Sequence, residues 1–131
     1  LNINSNSNIN IVFDSVVCNK YLLQRDDYYI YTRENTIRLI LNIQLLYNWI
    51  LSDLPYRFLL NMYKIDNQNN MTVIFKKYIG VNDMQISNNI YTQKIMLKLN
   101  KNDKIYFNIT NNNNYLLNFD KNSSIFIEYI L

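Results

Sequence analysis

Few side chains in this sequence could perform acid–base or metal chemistry. The adjacent carboxylates Asp26 and Asp27 match a glycosidase pair in residue type, but neighbours on a strand point to opposite faces. We therefore interpret them as part of a solvated loop. Asp66, Asp83 and Asp120 carry oxygen ligands of the kind that cations prefer, although their spacing in the sequence does not support a shared site.

Other catalytic motifs are missing from the sequence. Its 131 residues include no His, one Gly and one Cys, which excludes His-based triads, His-ligated zinc and glycine-rich phosphate loops. Cys18 lies in an apolar run, so we expect a small buried hydrophobic side chain rather than a nucleophile. The sequence thus predicts a non-enzymatic protein with no catalytic residue, no cofactor and no metal.

Charge and hydropathy exclude two classes of partner. The net charge of +3 is spread along the chain, and Lys76–Lys77 is the only adjacent basic pair, so we expect no nucleic-acid binding. The longest apolar stretch, residues 39–51, is interrupted by Asn42, Gln44 and Asn48, which predicts no membrane insertion. The opening residues are mostly Asn and Ser, and we expect an upstream part of the protein before them. The richness in Asn, Ile, Lys and Tyr is typical of AT-rich genomes, including those of some large DNA viruses and of protists.

The elements that position these side chains are predicted to be strands. Aromatic residues make up 15% of the chain, which favours strands because aromatic side chains pack well on a pleated surface. Residues 95–99 and 105–109 alternate apolar and polar positions around the polar turn 100–103. Residues 125–131 are apolar on both faces. They predict a central strand with the protein core on one face and another subunit on the other.

Residues 36–51 allow two interpretations, because the segment is apolar nearly all round. Alternate positions carry Ile or Leu from Ile37 to Leu45 and end at Tyr47, and this period of two favours a strand. The alternative is a buried helix followed by a second helix over residues 54–65. That arrangement would describe an intracellular helical interaction domain of a viral modulator of death pathways.

The remaining pattern predicts one all-β domain over residues 11–131. Short strands are expected at residues 11–13, 28–32, 57–65, 71–79 and 90–99, with Asn in place of Gly at the turns. Regularly spaced short strands of this kind indicate a β-sandwich, of which the jelly roll is a common form. Residues 1–10 are expected to be a flexible lead-in, although Ile3, Ile9 and Ile11 could begin a strand.

Four blocks of the sequence, in order, resemble the globular heads of complement first-component and adiponectin-like proteins, in the tumour-necrosis-factor-like superfamily. Residues 11–19 are similar to the opening I-x-F-x-x-V-x-x-N, and Tyr29 with residues 35–39 resembles an aromatic followed by G-x-Y-x-F. Residues 97–107 resemble L-x-L-x-x-G-D-x-V-x-L, and residues 124–131 resemble S-x-F-x-G-F-x-L. Asn35, Asn102 and Glu128 replace the glycines of these motifs. Asn can keep a left-handed turn, whereas Glu128 needs a cationic partner or a place at the rim of an interface.

The resemblance implies a ten-stranded jelly-roll sandwich of two antiparallel sheets that forms a homotrimer. Its first, third and last strands would lie against the three-fold axis, and we expect Tyr47, Phe126 and Tyr129 to face that axis. Such heads bind protein receptors or ligands, here at the tip of a fibre or on a virion surface. The implied location is extracellular or on the virion, and no calcium site of the family carries over to matched residues.

Overall fold

The computed structural model describes residues 1–17, 20–46, 58–80, 90–113 and 116–130. Within them the chain forms twelve strands in two six-stranded sheets and no helix. The strands of sheet I are β1 (Asn2–Ile3), β3 (Ser15–Val17), β6 (Asn35–Leu46), β9 (Ile90–Leu99), β11 (Leu117–Phe119) and β12 (Ser124–Ile130). The strands of sheet II are β2 (Ser7–Ile11), β4 (Leu22–Gln24), β5 (Tyr29–Tyr31), β7 (Phe58–Ile65), β8 (Met71–Ile79) and β10 (Lys104–Asn111).

The two sheets are built around β6 and β10. Sheet I has the order β1-β11-β6-β12-β3, with β9 on the other side of β6, and sheet II has the order β4-β5-β10-β7-β8, with β2 also paired to β10. All pairs are antiparallel except β3 with β12, which is parallel. The prediction of an all-β, sandwich-like domain is confirmed. No described segment is a helix that could span a bilayer.

β6 decides between the strand and the helix that residues 36–51 allow, for the part of the segment that the structure describes. It is a strand of 12 residues, and its alternate side chains Ile37, Leu39, Leu41 and Ile43 are each at most 1% exposed. The residues between them are half-buried on the opposite face. The helical alternative is therefore wrong for residues 36–46 and 58–65, which are strands. Tyr47 and the rest of that apolar run, like Cys18, lie outside the described residues.

The core lies between the two sheets, which supply a single cluster of buried side chains. Phe13 joins them, because its ring meets Phe107 of sheet II at 5.4 Å and Phe119 of sheet I at 5.5 Å, both edge to face. Tyr29 is 1% exposed, and its hydroxyl accepts a hydrogen bond of 2.7 Å from the backbone N–H of Phe13. The buried aromatic hydroxyl is thus satisfied at the junction of the sheets.

Asparagine makes the left-handed turns, as the sequence predicts. Positive φ angles occur at Asn6 (54°), Asn69 (62°) and Asn102 (70°), and Asn tolerates this conformation better than most residues with a side chain. The turn at Asn102 is closed by Asp103, whose Oδ2 accepts a 2.8 Å hydrogen bond from the backbone N–H of Asn100. Asn35 differs from the expectation because it begins β6 instead of making a turn.

The first residues also differ from the sequence-based expectation. Residues 1–10, expected to be a flexible lead-in, carry β1 and most of β2, and Ile3 is 1% exposed in the core. β2 pairs with β10 over five residues, from Phe107↔Ile11 to Asn111↔Ser7. The strand predicted at residues 11–13 ends at Ile11, and Val12 and Phe13 lie beyond it.

Candidate subunit interface

The outer face of sheet I carries an apolar row across three strands. Phe126 of β12 pairs with Val17 on one side and with Ile40 on the other, and Ile40 pairs with Lys94 of β9. Val17 is 45% exposed, and Phe126 and Ile40 are half-buried. We call Val17, Phe126 and Ile40 the apolar row. Its side chains face away from the core, because the residues next to them on β6 and β12 point inward.

An ion pair lies beside the apolar row. Glu128 and Arg38 are register partners on β12 and β6, and Arg38 Nη1 is 3.3 Å from Glu128 Oε2, with 41% of each side chain exposed. Glu128 therefore has the cationic partner that its position was expected to need. Met96, the next residue across the sheet, is 60% exposed, so apolar side chains flank the pair.

A polar row borders the other side of the apolar row. Asn42 of β6 donates a 3.4 Å hydrogen bond from Nδ2 to Ser124 Oγ, and its Oδ1 accepts a 2.8 Å bond from Thr92 Oγ1. These bonds run across β12, β6 and β9 and fix neighbouring strands in register. The outer face of sheet I thus has three apolar side chains between an ion pair and a hydrogen-bonded row, with the exposed Lys94 at their β9 end.

Two of the residues expected at the three-fold axis, Phe126 and Tyr129, lie on opposite faces of β12. Phe126 lies on the outer face, in the apolar row. Tyr129 lies on the opposite, core-facing side of β12, where its ring meets Tyr21 edge to face at 5.2 Å and its hydroxyl accepts a 3.4 Å bond from the backbone N–H of Tyr21. Tyr47 lies outside the described residues.

Two residues of the apolar row could not be singled out from the sequence. Ile40 was assigned no role, although its place between the inward-facing Leu39 and Leu41 puts it on the outer face of β6. Val17 belongs to a strand of three residues, which is too short to show alternation. Pairing with β12 is what brings both beside Phe126.

Asp66 and Asp120, two of the candidate carboxylates, lie in separate turns. Asp66 closes the β7–β8 turn, where its Oδ1 accepts bonds of 2.9 Å from the backbone N–H groups of Gln68 and Asn70. These bonds, that from Asn70 foremost, hold the pKa of Asp66 below its ordinary value of 3.8. Asp120 accepts a 2.7 Å bond from the backbone N–H of Asn122, and Asp83 lies outside the described residues. The described part of the chain holds no group of three or more potential metal ligands.

One cleft combines charged and apolar side chains. It has a volume of about 300 Å³, and its lining includes Asp14, Asp26, Lys121 and the apolar residues Ile9, Val12 and Phe119. Asp26 and Asp14 thus line one cleft, and Asp27 is not among its lining residues. Both lining carboxylates are exposed, so they lack the apolar shielding that prepares a carboxyl group for acid catalysis.

The chain matches no protein-family model and no curated protein. Of the features that the resemblance described above implies, the structure supports the sandwich-like, all-β fold.

Proposed function

We propose that this chain is a non-enzymatic binding head that assembles into a homotrimer through the outer face of sheet I. The observation that carries the proposal is the apolar row, which the chain itself leaves partly open to solvent on a face with an ion pair beside it. Interface centres are poor in charge and rich in aromatic and aliphatic side chains, and Phe126 is the central residue of this row.

The order of strand pairing supports a jelly roll. β7 pairs with β8, β6 with β9, and β5 with β10, so that each antiparallel pair encloses the previous one along the chain. The outermost pair is β3 with β12. A long hairpin rolled into two sheets produces this nested pattern, and it underlies jelly-roll topology. The parallel direction of β3 and β12 is a local departure, since the other three pairs are antiparallel.

The number of subunits, three, is inferred from the resemblance. The position of β12 within sheet I fits this assembly. The strand that the resemblance places at the axis, β12, lies between β3 and β6, so both of its edges are satisfied within the chain. Further contacts of β12 must therefore be made by its outward side chains. An obligate interface of this type buries on the order of 2,000 Å² or more, so the contact must extend beyond the three side chains of the apolar row.

The proposal includes a protein receptor or ligand as partner and a place outside the cell or on a virion. These follow from the resemblance, in which trimeric heads present loops and subunit grooves to their partners. The exposed carboxylates of the cleft give no support to an enzymatic alternative.

Substitution of Phe126 with Asp tests the assembly. We expect the unmodified chain to scatter light as three chains per particle at micromolar concentration, and Phe126→Asp to scatter as one, because it places a carboxylate in the apolar row next to Glu128. Val73→Asp is the matched control, since Val73 is 50% exposed on sheet II. Circular dichroism must show that both variants keep their sheet structure.

The outcomes separate clearly. An unmodified chain that is monomeric at this concentration contradicts the trimer. A folded Phe126→Asp variant that keeps the full assembled mass contradicts the assignment of the interface to sheet I.

A further inference from the structure

Three Asn-X-Ser/Thr sequons, the motif that accepts N-linked glycans, begin at Asn70, Asn108 and Asn122. In a chain so rich in Asn, such motifs also arise by chance. The structure separates the three, because an acceptor must leave its side-chain amide open to a bulky sugar while the domain stays folded.

The Asn108 sequon is closed by the sheet. Asn108 is 6% exposed within β10, which pairs with β2 on one side and β7 on the other. Its Nδ2 donates hydrogen bonds to Asn8 Oδ1 and, at 3.0 Å, to Asn10 Oδ1. Because an amide nitrogen has two hydrogens, both are engaged, and a sugar on this atom would displace β2.

The Asn122 sequon is partly closed. Asn122 is exposed in the turn before β12, but the hydroxyl residue of its motif, Ser124, is half-buried, and Ser124 Oγ accepts a 3.4 Å bond from Asn42 Nδ2. Ser123, between them, is 1% exposed, and its Oγ accepts a 2.9 Å bond from the backbone N–H of Gln44. Two of the three residues of this motif are therefore held against β6.

The Asn70 sequon is open along its whole length. Asn70, Met71 and Thr72 are all exposed, where the β7–β8 turn leads into β8. Asn70 Nδ2 donates a 3.3 Å hydrogen bond to Asp66 Oδ2, and the backbone N–H of Asn70 donates to Asp66 Oδ1. One amide hydrogen can therefore be replaced while the other keeps its bond to Asp66.

The strand that follows Asn70 has an exposed, uncharged edge. β8 is the last strand of its sheet and pairs only with β7 among the described strands. Its first five residues, Met-Thr-Val-Ile-Phe, carry no charge, and Met71 is 63% and Val73 50% exposed. By contrast, β9, at the edge of sheet I, has the exposed Lys94 and Lys98 among its side chains. An uncharged edge segment of high β-propensity favours pairing with other chains unless something covers it.

We propose that Asn70 is an N-glycosylation site and that its glycan covers the start of β8. The new bond joins Asn70 Nδ2 to C1 of the first sugar. The bond between C1 and the pyrophosphate of a lipid-linked oligosaccharide donor breaks, the pyrophosphate leaves with the bonding electrons, and Nδ2 gives up one proton. A glycan is bulky and solubilising, which is the property that the edge of β8 lacks.

The site depends on the extracellular location proposed above, because N-linked glycans are added to chains that enter the secretory pathway. It is compatible with the proposed assembly. The β7–β8 turn belongs to sheet II, so a glycan at Asn70 leaves the apolar row of sheet I open to another copy of the chain.

Secretion of the full chain from cultured insect cells behind a cleavable signal peptide tests the site. Enzymatic removal of N-glycans in heavy-oxygen water converts each occupied Asn to a labelled Asp, which peptide mass spectrometry locates in chain from both the medium and the cells. We expect the label at Asn70 and none at Asn108. Asn70→Gln and Thr72→Ala should each lose this glycan, because both destroy the sequon, whereas Asn122→Gln, the matched control, should keep it.

The covering role has its own measurement. Light scattering should show that Asn70→Gln and Thr72→Ala aggregate at lower concentration than Asn122→Gln, because the start of β8 is then uncovered. Thr72→Ala leaves Asn70 and its bonds to Asp66 in place, so a damaged turn does not explain a shared effect. Equal solubility of the three variants would contradict the covering role. Circular dichroism establishes that each variant is folded.

Two results would overturn the assignment of the site. One is a chain without a glycan at Asn70, whether or not Asn122 is occupied, and the other is a folded chain with a glycan at Asn108. The added signal peptide takes the chain through the pathway, so these results test the site and not the natural location. A chain glycosylated at Asn70 that scatters as a monomer contradicts the trimer alone, and a trimer without sugar contradicts the glycan alone.

Discussion

Two neighbouring residues of β6 separate the contribution of the core from that of the outer face. Leu39 is 1% exposed and packs between the sheets, whereas Ile40 is half-buried in the apolar row. Leu39→Ala and Ile40→Ala remove the same number of atoms from adjacent positions of one strand. Any difference in their effects therefore comes from the face on which each side chain lies.

The expected magnitudes differ several-fold. Replacing a fully buried Leu with Ala costs about 2–5 kcal/mol, including the cavity that it leaves. A domain of this size has a free energy of unfolding of about 5–15 kcal/mol, so Leu39→Ala removes a large part of it. At about 4 °C per kcal/mol, the thermal midpoint should fall by about 8–20 °C. Ile40→Ala in an isolated chain should cost about 1 kcal/mol or less, because its side chain is already partly in water.

Thermal unfolding followed by circular dichroism at low and high protein concentration measures both effects. If copies of the chain cover the apolar row, the midpoint rises with concentration, because assembly stabilises only the folded state. Ile40→Ala should reduce that dependence, and Leu39→Ala should lower the midpoint at every concentration. Equal losses of stability for the two variants, with no effect of concentration, would refute the assignment of opposite roles to the two faces of β6.

Three further predictions concern turns and charges. Asn102→Ala should cost about 1–2 kcal/mol because of the positive φ, whereas Asn102→Gly should be nearly neutral, as measured by urea unfolding. The lowered pKa of Asp66 stabilises the fold above pH 3.8, and this contribution is lost as the pH falls through the lowered value; Asp66→Asn should remove that part of the acid dependence. A double-mutant cycle of Arg38→Ala and Glu128→Ala should give a coupling of about 1 kcal/mol or less if the pair stays exposed. A coupling of several kcal/mol would indicate that assembly buries it.

Strong alternation is the part of the fold that could be predicted from the sequence. Ile37, Leu39, Leu41 and Ile43 follow a period of two, and the structure buries all four. The Asn-rich turn at residues 100–103 was also predictable, because few other residues accept the conformation of Asn102. These features depend on the backbone conformation of single residues and on the alternation of inward and outward positions within one strand.

Pairing between distant segments could not be predicted in this way. β2 has the sequence Ser-Asn-Ile-Asn-Ile, which looks like part of a polar lead-in, yet its backbone pairs with β10 nearly a hundred residues later. Backbone hydrogen bonds do not depend on side-chain polarity, so polar strands leave little trace in composition. The stacked Tyr106 and Tyr63 on sheet II were missed for the same reason, since the register of β10 with β7 is what brings them together.

The contrast between the two outer faces argues for assembly through sheet I rather than sheet II. Sheet I presents Val17, Phe126 and Ile40 in one row, and the ion pairs described on it are Arg38 with Glu128 and, nearer its edge, Lys98 with Glu34. Covering this face therefore removes apolar area from water together with these exposed pairs. The outer face of sheet II instead carries Asn108 and Asn61 as register partners, with the exposed Lys76 paired to Asn61. An apolar surface laid over this face would remove hydrogen bonds to water, at a cost of about 1–3 kcal/mol for each group left unpaired. The free energy of desolvation therefore favours a second copy of the chain on sheet I and disfavours one on sheet II.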